Sequence, residues 1–195
     1  MSDESTTLTL EEARSLMHEW VRSPSLRGHM EAVAACMRHH ARIHAPEETE
    51  AWTIAGLLHD FDYERHPTED EHPMVGVAHL RTLNVDEAVI EAILGHAPYT
   101  GVARTTPMAR HLFACDEISG FIVAVAKVRP TGFDGLKAKS IRKKLKDKAF
   151  AAAVSRDDVA EGVGDLVSDG YVSDDSEHFD RCIAAIAGAA DRIHG

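Results

Sequence analysis

Two adjacent residues, His59 and Asp60, combine an imidazole and a carboxylate at one point of the chain. His29 lies in an amphipathic segment before this pair, and Asp116 lies in an apolar segment after it. Imidazole and carboxylate ligands together suit Mn, Fe, Co, Ni or Zn, whereas sites built from oxygen alone suit Mg. The four residues therefore predict a site for one or two divalent transition-metal ions.

Two further histidines extend this pattern. His72 is expected to open one helix and His96 to close another. His79 lies seven residues after His72, near the same helix face, and is the alternative to it. We interpret most of the remaining histidines as ordinary core or surface residues, and these are His39, His40, His44, His66, His111, His178 and His194.

With these residues in the order H…HD…H…H…D, the sequence resembles the HD-domain superfamily of metal-dependent phosphohydrolases over about residues 26–120. The sequence from Ala55 to Asp60 is similar to the segment that usually precedes and includes the HD pair in this family. His72 and His96 match positions that bind a second metal in binuclear members. Related cyclic-dinucleotide phosphodiesterases carry a histidine where this chain has Ala97, and a Gly-Tyr-Pro motif nearby. Both are missing, so that activity is not expected.

The resemblance implies how the metals are held. One ion is expected on His29, His59, Asp60 and Asp116, and a second on His72 and His96, with Asp60 as the bridge. Two cations about 3.5–4 Å apart can share a water and clamp the attacking and leaving oxygens of a phosphate ester.

The leading function implied is hydrolysis of a nucleotide or another small phosphate ester by metal-activated water. Two alternatives stay open. One is an HD-type di-iron oxygenase, which uses O₂ and the same ligand count. The other is a non-catalytic module, in which the metal site serves folding or sensing.

Several charged residues around the ligands are candidates for catalysis and substrate binding. Asp60, Asp62 and Glu64 follow one another closely, and the last two suit a general acid or base or a partner of a ligand. Lys127 and Arg129, near the end of the helix that carries Asp116, suit binding of a substrate phosphate, and Lys127 also suits catalysis. Lys143 represents a basic run over residues 137–148, for which a solvated helix face is the alternative.

The segments that carry these residues have helical spacing of apolar residues throughout. Thr9 and Glu12 have capping-box spacing and predict a helix to about Val21. Ser25 is expected to cap the next helix, and residues 61–71 and 97–107 are expected to be loops. A long helix is predicted over about residues 108–128, and a C-terminal helix over about 179–193. The prediction is an all-α, HD-domain-like bundle of about eight to ten helices.

Size and composition bound the remaining possibilities. The 195 residues suit a single domain, with a core over about residues 25–130 and a helical extension over 131–195. A formal net charge of -11 disfavours nucleic-acid polymers and anionic membranes. The resemblance implies a small phosphorylated substrate as the partner. Three dispersed cysteines, with no visible signal peptide or long apolar run, predict a cytoplasmic protein. The Ala-rich stretch 183–190 leaves an oligomer possible.

Overall fold

The structure, a computed structural model, describes residues 8–193 and is built from helices. Within that range there are ten α-helices and no β-strand, which confirms the predicted all-α class. The helices are α1 Leu10–Trp20, α2 Pro24–His44, α3 Thr49–Leu58, α4 Met74–Thr82, α5 Glu87–His96, α6 Pro107–Lys127, α7 Ala138–Leu145, α8 Arg156–Ser168, α9 Asp175–Ala187 and α10 Ala190–Ile193. Short 3-10 helices at Pro46–Glu48 and Pro98–Thr100 precede α3 and follow α5.

The starts of the first two helices show how local sequence fixes their bounds. The capping box of α1 is confirmed, because the Thr9 side chain accepts from the Glu12 amide and the Glu12 carboxylate accepts from the Thr9 amide. The cap predicted for α2 at Ser25 is wrong. Ser23 is the cap and accepts from the Leu26 amide, because Pro24 occupies the first helical position, where its missing N–H costs nothing.

Helices α2 and α6, with 21 residues each, are the longest and organise the packing around them. Helix α2 packs against α3, α6 and α9, and α6 packs against α2, α5 and α8. The contact between α2 and α3 is close because α3 presents Gly56 to the backbone of Ala34. This close approach sets the distance between the helices that carry His29 and His59.

The segments outside the helices also follow the sequence prediction, with one difference at the C-terminus. Residues 59–73 form turns, yet Phe61 and Asp62 at their start are buried. The predicted C-terminal helix is divided, because α9 ends at Ala187 and α10 begins at Ala190. Within residues 8–193, none of the helices has the length and apolar character needed to cross a bilayer. His194 lies outside the described residues.

Candidate metal centre

Three predicted ligands, from α2, the end of α3 and α6, meet in a first triad. The Nε2 atom of His29 lies 3.0 Å from Asp116 Oδ1, and His59 Nε2 lies 3.4 Å from the same oxygen. The two imidazoles face each other with 3.2 Å between their Nε2 atoms. One ligand atom from each residue therefore lies within 4.8 Å of the other two, as a single ion requires.

A second triad consists of Asp60, His72 and His96. The Nε2 atoms of His72 and His96 lie 3.3 and 3.4 Å from Asp60 Oδ1, and 3.3 Å from each other. His79, the alternative to His72, does not belong to this triad. Its ring instead packs on Trp20, with 4.9 Å between the ring centroids.

The carboxylate of Asp60 connects the two triads. Its Oδ1 faces His72 and His96, whereas its Oδ2 lies 3.6 Å from His59 Nε2 and 3.8 Å from His29 Nε2. Helix α3 ends at Leu58, and His59 and Asp60 lie in the turn that follows it. The two oxygens of one carboxylate thus point at two different sets of imidazoles.

Three of the four imidazoles are oriented by their other ring nitrogen. His59 Nδ1–H donates to the Gly56 carbonyl at 2.8 Å, and His96 Nδ1–H donates to the Ile93 carbonyl. His72 Nδ1–H donates to Asp62 Oδ1 at 2.7 Å. Such partners fix the tautomer and the ring orientation of metal-ligating histidines.

This orientation tests whether the residues fit a cation. A neutral imidazole that donates from Nδ1 carries a lone pair on Nε2, and two such lone pairs face each other between His72 and His96. They repel unless a proton or a metal ion lies between them. The donor set of imidazoles and carboxylates suits the divalent transition metals, so the residues fit the predicted cofactor.

Without a cation, the carboxylates hold protons on His59 and His72. Burial lowers the pKa of His59, but the charges of Asp60 and Asp116 outweigh it and raise this pKa to about 9. Burial likewise disfavours the charged form of His72, but its bonds to Asp60 and Asp62 raise its pKa to about 9. Burial works against the charged carboxylates too, yet the facing histidines hold the pKa of Asp60 and of Asp116 below its ordinary value. Metal binding must displace these protons.

The stability of the chelator-treated protein should therefore fall as the pH rises. The pKa values of His59 and His72 are raised on folding from an ordinary value of 6.5 to about 9. A raised pKa contributes stability that is complete below pH 6.5 and is lost as the pH rises through about 9. Urea unfolding across that range should show the loss, and a saturating divalent metal should reduce it. A metal-free protein whose stability rises over the same range would contradict this account.

Five of the six triad residues, all except His59, line a cavity of about 580 Å³. Its lining includes Tyr63, Tyr99, Phe113, Glu117 and Asp158, and none of its described lining residues is lysine or arginine. Glu117 accepts a hydrogen bond from the Ser155 amide, and burial together with Asp116 raises its pKa to about 7. Burial and the nearby carboxylates raise the pKa of Tyr99 to about 12, so its hydroxyl keeps its proton.

The two acidic residues predicted after the HD pair have partners of their own. Asp62 is buried, and its Oδ2 accepts from the Gly76 amide while its Oδ1 accepts from His72. Glu64 Oε2 accepts from the amides of Arg22 and Ser23, before the start of α2. These contacts indicate that Asp62 orients His72 and that Glu64 has a structural role. Neither contact favours binding of a substrate by these two residues.

The predicted basic residues do not line the cavity that five of the triad residues line. Lys127 is exposed and lines a neighbouring cavity of about 400 Å³ that shares His29 with the first one. Arg129 donates to Thr131 and to the carbonyls of Gly132 and Asp134, within its own turn. Lys143 is exposed on α7 and lines neither cavity. Of the three, Lys127 is the one placed beside a ligand.

The contact between Asp62 and Gly76 gives a specific prediction. A Cβ atom at position 76 would lie 2.7 Å from Phe61 Cε1 and 2.8 Å from Asp62 Oδ2. Gly76→Ala should therefore displace the Phe61 ring and the carboxylate that orients His72. We expect metal affinity of the second triad to fall by about 10–100-fold, the usual cost of losing such a partner. Isothermal titration with Mn²⁺ measures this change. If Gly76→Ala acts through Asp62, it should weaken binding little further in an Asp62→Ala background; additive losses would contradict the mechanism.

Comparison with known proteins gives one match. The family model described as HD domain matches residues 26–120, a segment that contains all six residues of the two triads. No curated protein and no solved structure matches the chain.

Proposed function

Because residues 26–120 match the family model of the HD domain, a domain of metal-dependent phosphohydrolases, we propose that this protein hydrolyses a small phosphate ester such as a nucleotide. The observation that carries the proposal is the position of Asp60. One of its oxygens faces His72 and His96, and the other faces His29 and His59. A carboxylate shared in this way is suited to hold two cations side by side.

The charge of the cavity supports a phosphate substrate only together with cations. Asp60, Asp116, Glu117 and Asp158 line it, and its described lining offers no lysine or arginine to balance them. A phosphate dianion would be repelled by these carboxylates. When bound, divalent cations would supply Lewis acidity toward the phosphoryl oxygens and lower the pKa of a water molecule.

Residues of the chain then position the substrate and move protons. The cavity of about 580 Å³ suits a mononucleotide or a similar small ester rather than a polymer. Tyr63 and Tyr99, both 45% exposed, together with Phe113, offer apolar surface to the part of the substrate beyond the phosphate. Glu117 lies beside Asp116 on the cavity wall and is placed to give a proton to the leaving oxygen. Lys127 is our candidate for binding a further phosphate, next to His29.

We also propose that the protein works in the cytoplasm. The three cysteines are free and buried, which is compatible with a reducing compartment. The net charge of -11 disfavours a nucleic-acid polymer as the substrate.

The experiment is a substrate screen with metal-defined protein. The chelated full chain is reloaded with Mn²⁺ or Fe²⁺ and incubated with nucleotides and other phosphate esters, while phosphate release and O₂ consumption are both followed. The proposal predicts metal-dependent phosphate release without O₂ consumption. Consumption of O₂ in step with substrate loss, with no phosphate released, would overturn it in favour of the oxygenase. Tight metal binding without turnover of any compound would favour the non-catalytic module.

A further inference from the structure

A second group of metal-ligating side chains lies between α2, α6 and α9. It contains His40, His111, His178 and Cys182, all buried. His40 follows His29 by eleven residues on α2, which separates them by about 16 Å along the helix axis. The group is therefore distinct from the two triads of the HD domain.

His40 is the least satisfied residue of the group. Its side chain is fully buried, and neither Nδ1 nor Nε2 has a hydrogen-bond partner. Buried polar atoms are nearly always paired, and an unpaired one is costly. Burial and the neighbouring positive groups lower the pKa of His40 well below its ordinary value, so the ring is neutral and able to bind a metal.

Helix α9 places two further candidate metal ligands, His178 and Cys182, near His40. His178 Nε2–H donates to the Ala114 carbonyl at 3.0 Å, which leaves a lone pair on Nδ1. Cys182 Sγ lies 4.0 Å from that Nδ1 and 3.8 Å from Nε2. The ligand atoms of His40, His178 and Cys182 all lie within 4.8 Å of one another. At the tetrahedral angle, zinc–nitrogen and zinc–sulfur bonds of about 2.0–2.3 Å place two ligand atoms of one ion roughly 3.3–3.8 Å apart, so side-chain shifts of about 1 Å would bring the three residues into range.

His44 also approaches His40, but its environment disfavours a cation. Arg181 Nη1 lies 3.2 Å from His44 Nε2, and since arginine only donates, this nitrogen is an acceptor already in use. Arg181 also donates to the Tyr171 carbonyl and pairs with Glu177. Its guanidinium is thus held beside His44.

We propose that His40, His178 and Cys182 form a second metal site, which binds Zn²⁺ and ties α2 to α9. His111 is the candidate fourth ligand. Its ring lies 4.9 Å from that of His40, its Nδ1–H donates to the Pro107 carbonyl, and its buried Nε2 has no partner. The ion would connect residues 26–120 to α9, which lies beyond them in the chain. Structural zinc sites with cysteine and histidine ligands stabilise folds in this way.

Sulfur separates this site from the HD triads, whose ligands are nitrogen and oxygen only. We would titrate the chelated full chain with Co²⁺ and record its absorption, because only a thiolate ligand gives a thiolate-to-cobalt charge-transfer band. The expected result is such a band with the amplitude of one thiolate-bound ion per chain. It should disappear in Cys182→Ser and His40→Ala, and persist in Asp60→Ala, Cys36→Ser and Cys115→Ser.

Two results would overturn the proposal. One is a wild-type titration without the charge-transfer band, which decides the matter even if a variant fails to fold. The other is a band that survives in Cys182→Ser, with folding checked by far-ultraviolet circular dichroism. His178→Gln gives a second test of the ligand set and should lose the band. Persistence in Asp60→Ala keeps the outcome separate from the fate of the proposed hydrolase activity.

Discussion

Replacement of Asp60 by asparagine will lower kcat/KM for phosphate release by about 1,000-fold or more. The amide keeps the shape of the side chain but removes the charge that faces four imidazoles. Loss of a bridge between two cations should cost several kcal/mol of transition-state stabilisation, and each 1.4 kcal/mol is a factor of ten. Steady-state kinetics with the best substrate of the screen, at saturating Mn²⁺, measures the effect.

The matched control for this variant is Asp86→Asn. Asp86 caps α5 through the Ala88 amide, and asparagine caps helices about as well as aspartate. We expect the control to keep wild-type kinetics and stability. The bridge should be worth several kcal/mol. If Asp60→Asn folds and keeps activity within about threefold of wild type, Asp60 does not take part in the chemistry as a bridge.

The second large effect is expected on stability, from Gly56→Ala. A Cβ atom at position 56 would lie 2.9 Å from Ala34 Cα and 2.9 Å from Met37 Cγ, so α2 and α3 must move apart. We expect the free energy of unfolding to fall by about 1–3 kcal/mol, the usual cost of overpacking a core. Metal affinity should fall as well, because His29 lies on α2, His59 directly follows α3, and the Gly56 carbonyl orients His59.

Gly164→Ala on α8 is the matched control. No atom lies within 4 Å of the Cβ position there, so the substitution meets open space. Alanine in an exposed helix interior should leave stability unchanged or raise it by about 0.5–1 kcal/mol. Urea unfolding of both variants measures the difference. Equal changes at the two positions would contradict the argument that close packing of α2 on α3 sets the first triad.

Local spacing was sufficient to predict most of the helical framework. Capping at Thr9, the end of a helix near Leu58 and the long helix through Asp116 all follow from patterns within a few residues of one another. Ser25 shows the limit of such reasoning, because either serine beside Pro24 satisfies the local pattern. The family resemblance named the six ligands, and the structure brings all of them into two triads.

Other parts of the site depend on which helix faces meet, and spacing along the chain does not contain that information. Asp158 reaches the cavity from α8, 42 residues beyond Asp116, without any motif of its own. Tyr99 follows His96 closely, yet only the fold shows that its ring lines the cavity. From the sequence, His40 and His178 are interpreted as ordinary residues, because their proximity arises only from the packing of α2 on α9.

The most direct test of the central claim is anomalous diffraction from crystals of the full chain grown with Mn²⁺. The account predicts two manganese peaks about 3.5–4 Å apart, the spacing of two-metal hydrolytic sites. One ion should lie among His29, His59 and Asp116 and the other between His72 and His96, with one oxygen of Asp60 on each. A single peak that Asp60 does not touch, or no peak at either triad, would contradict it.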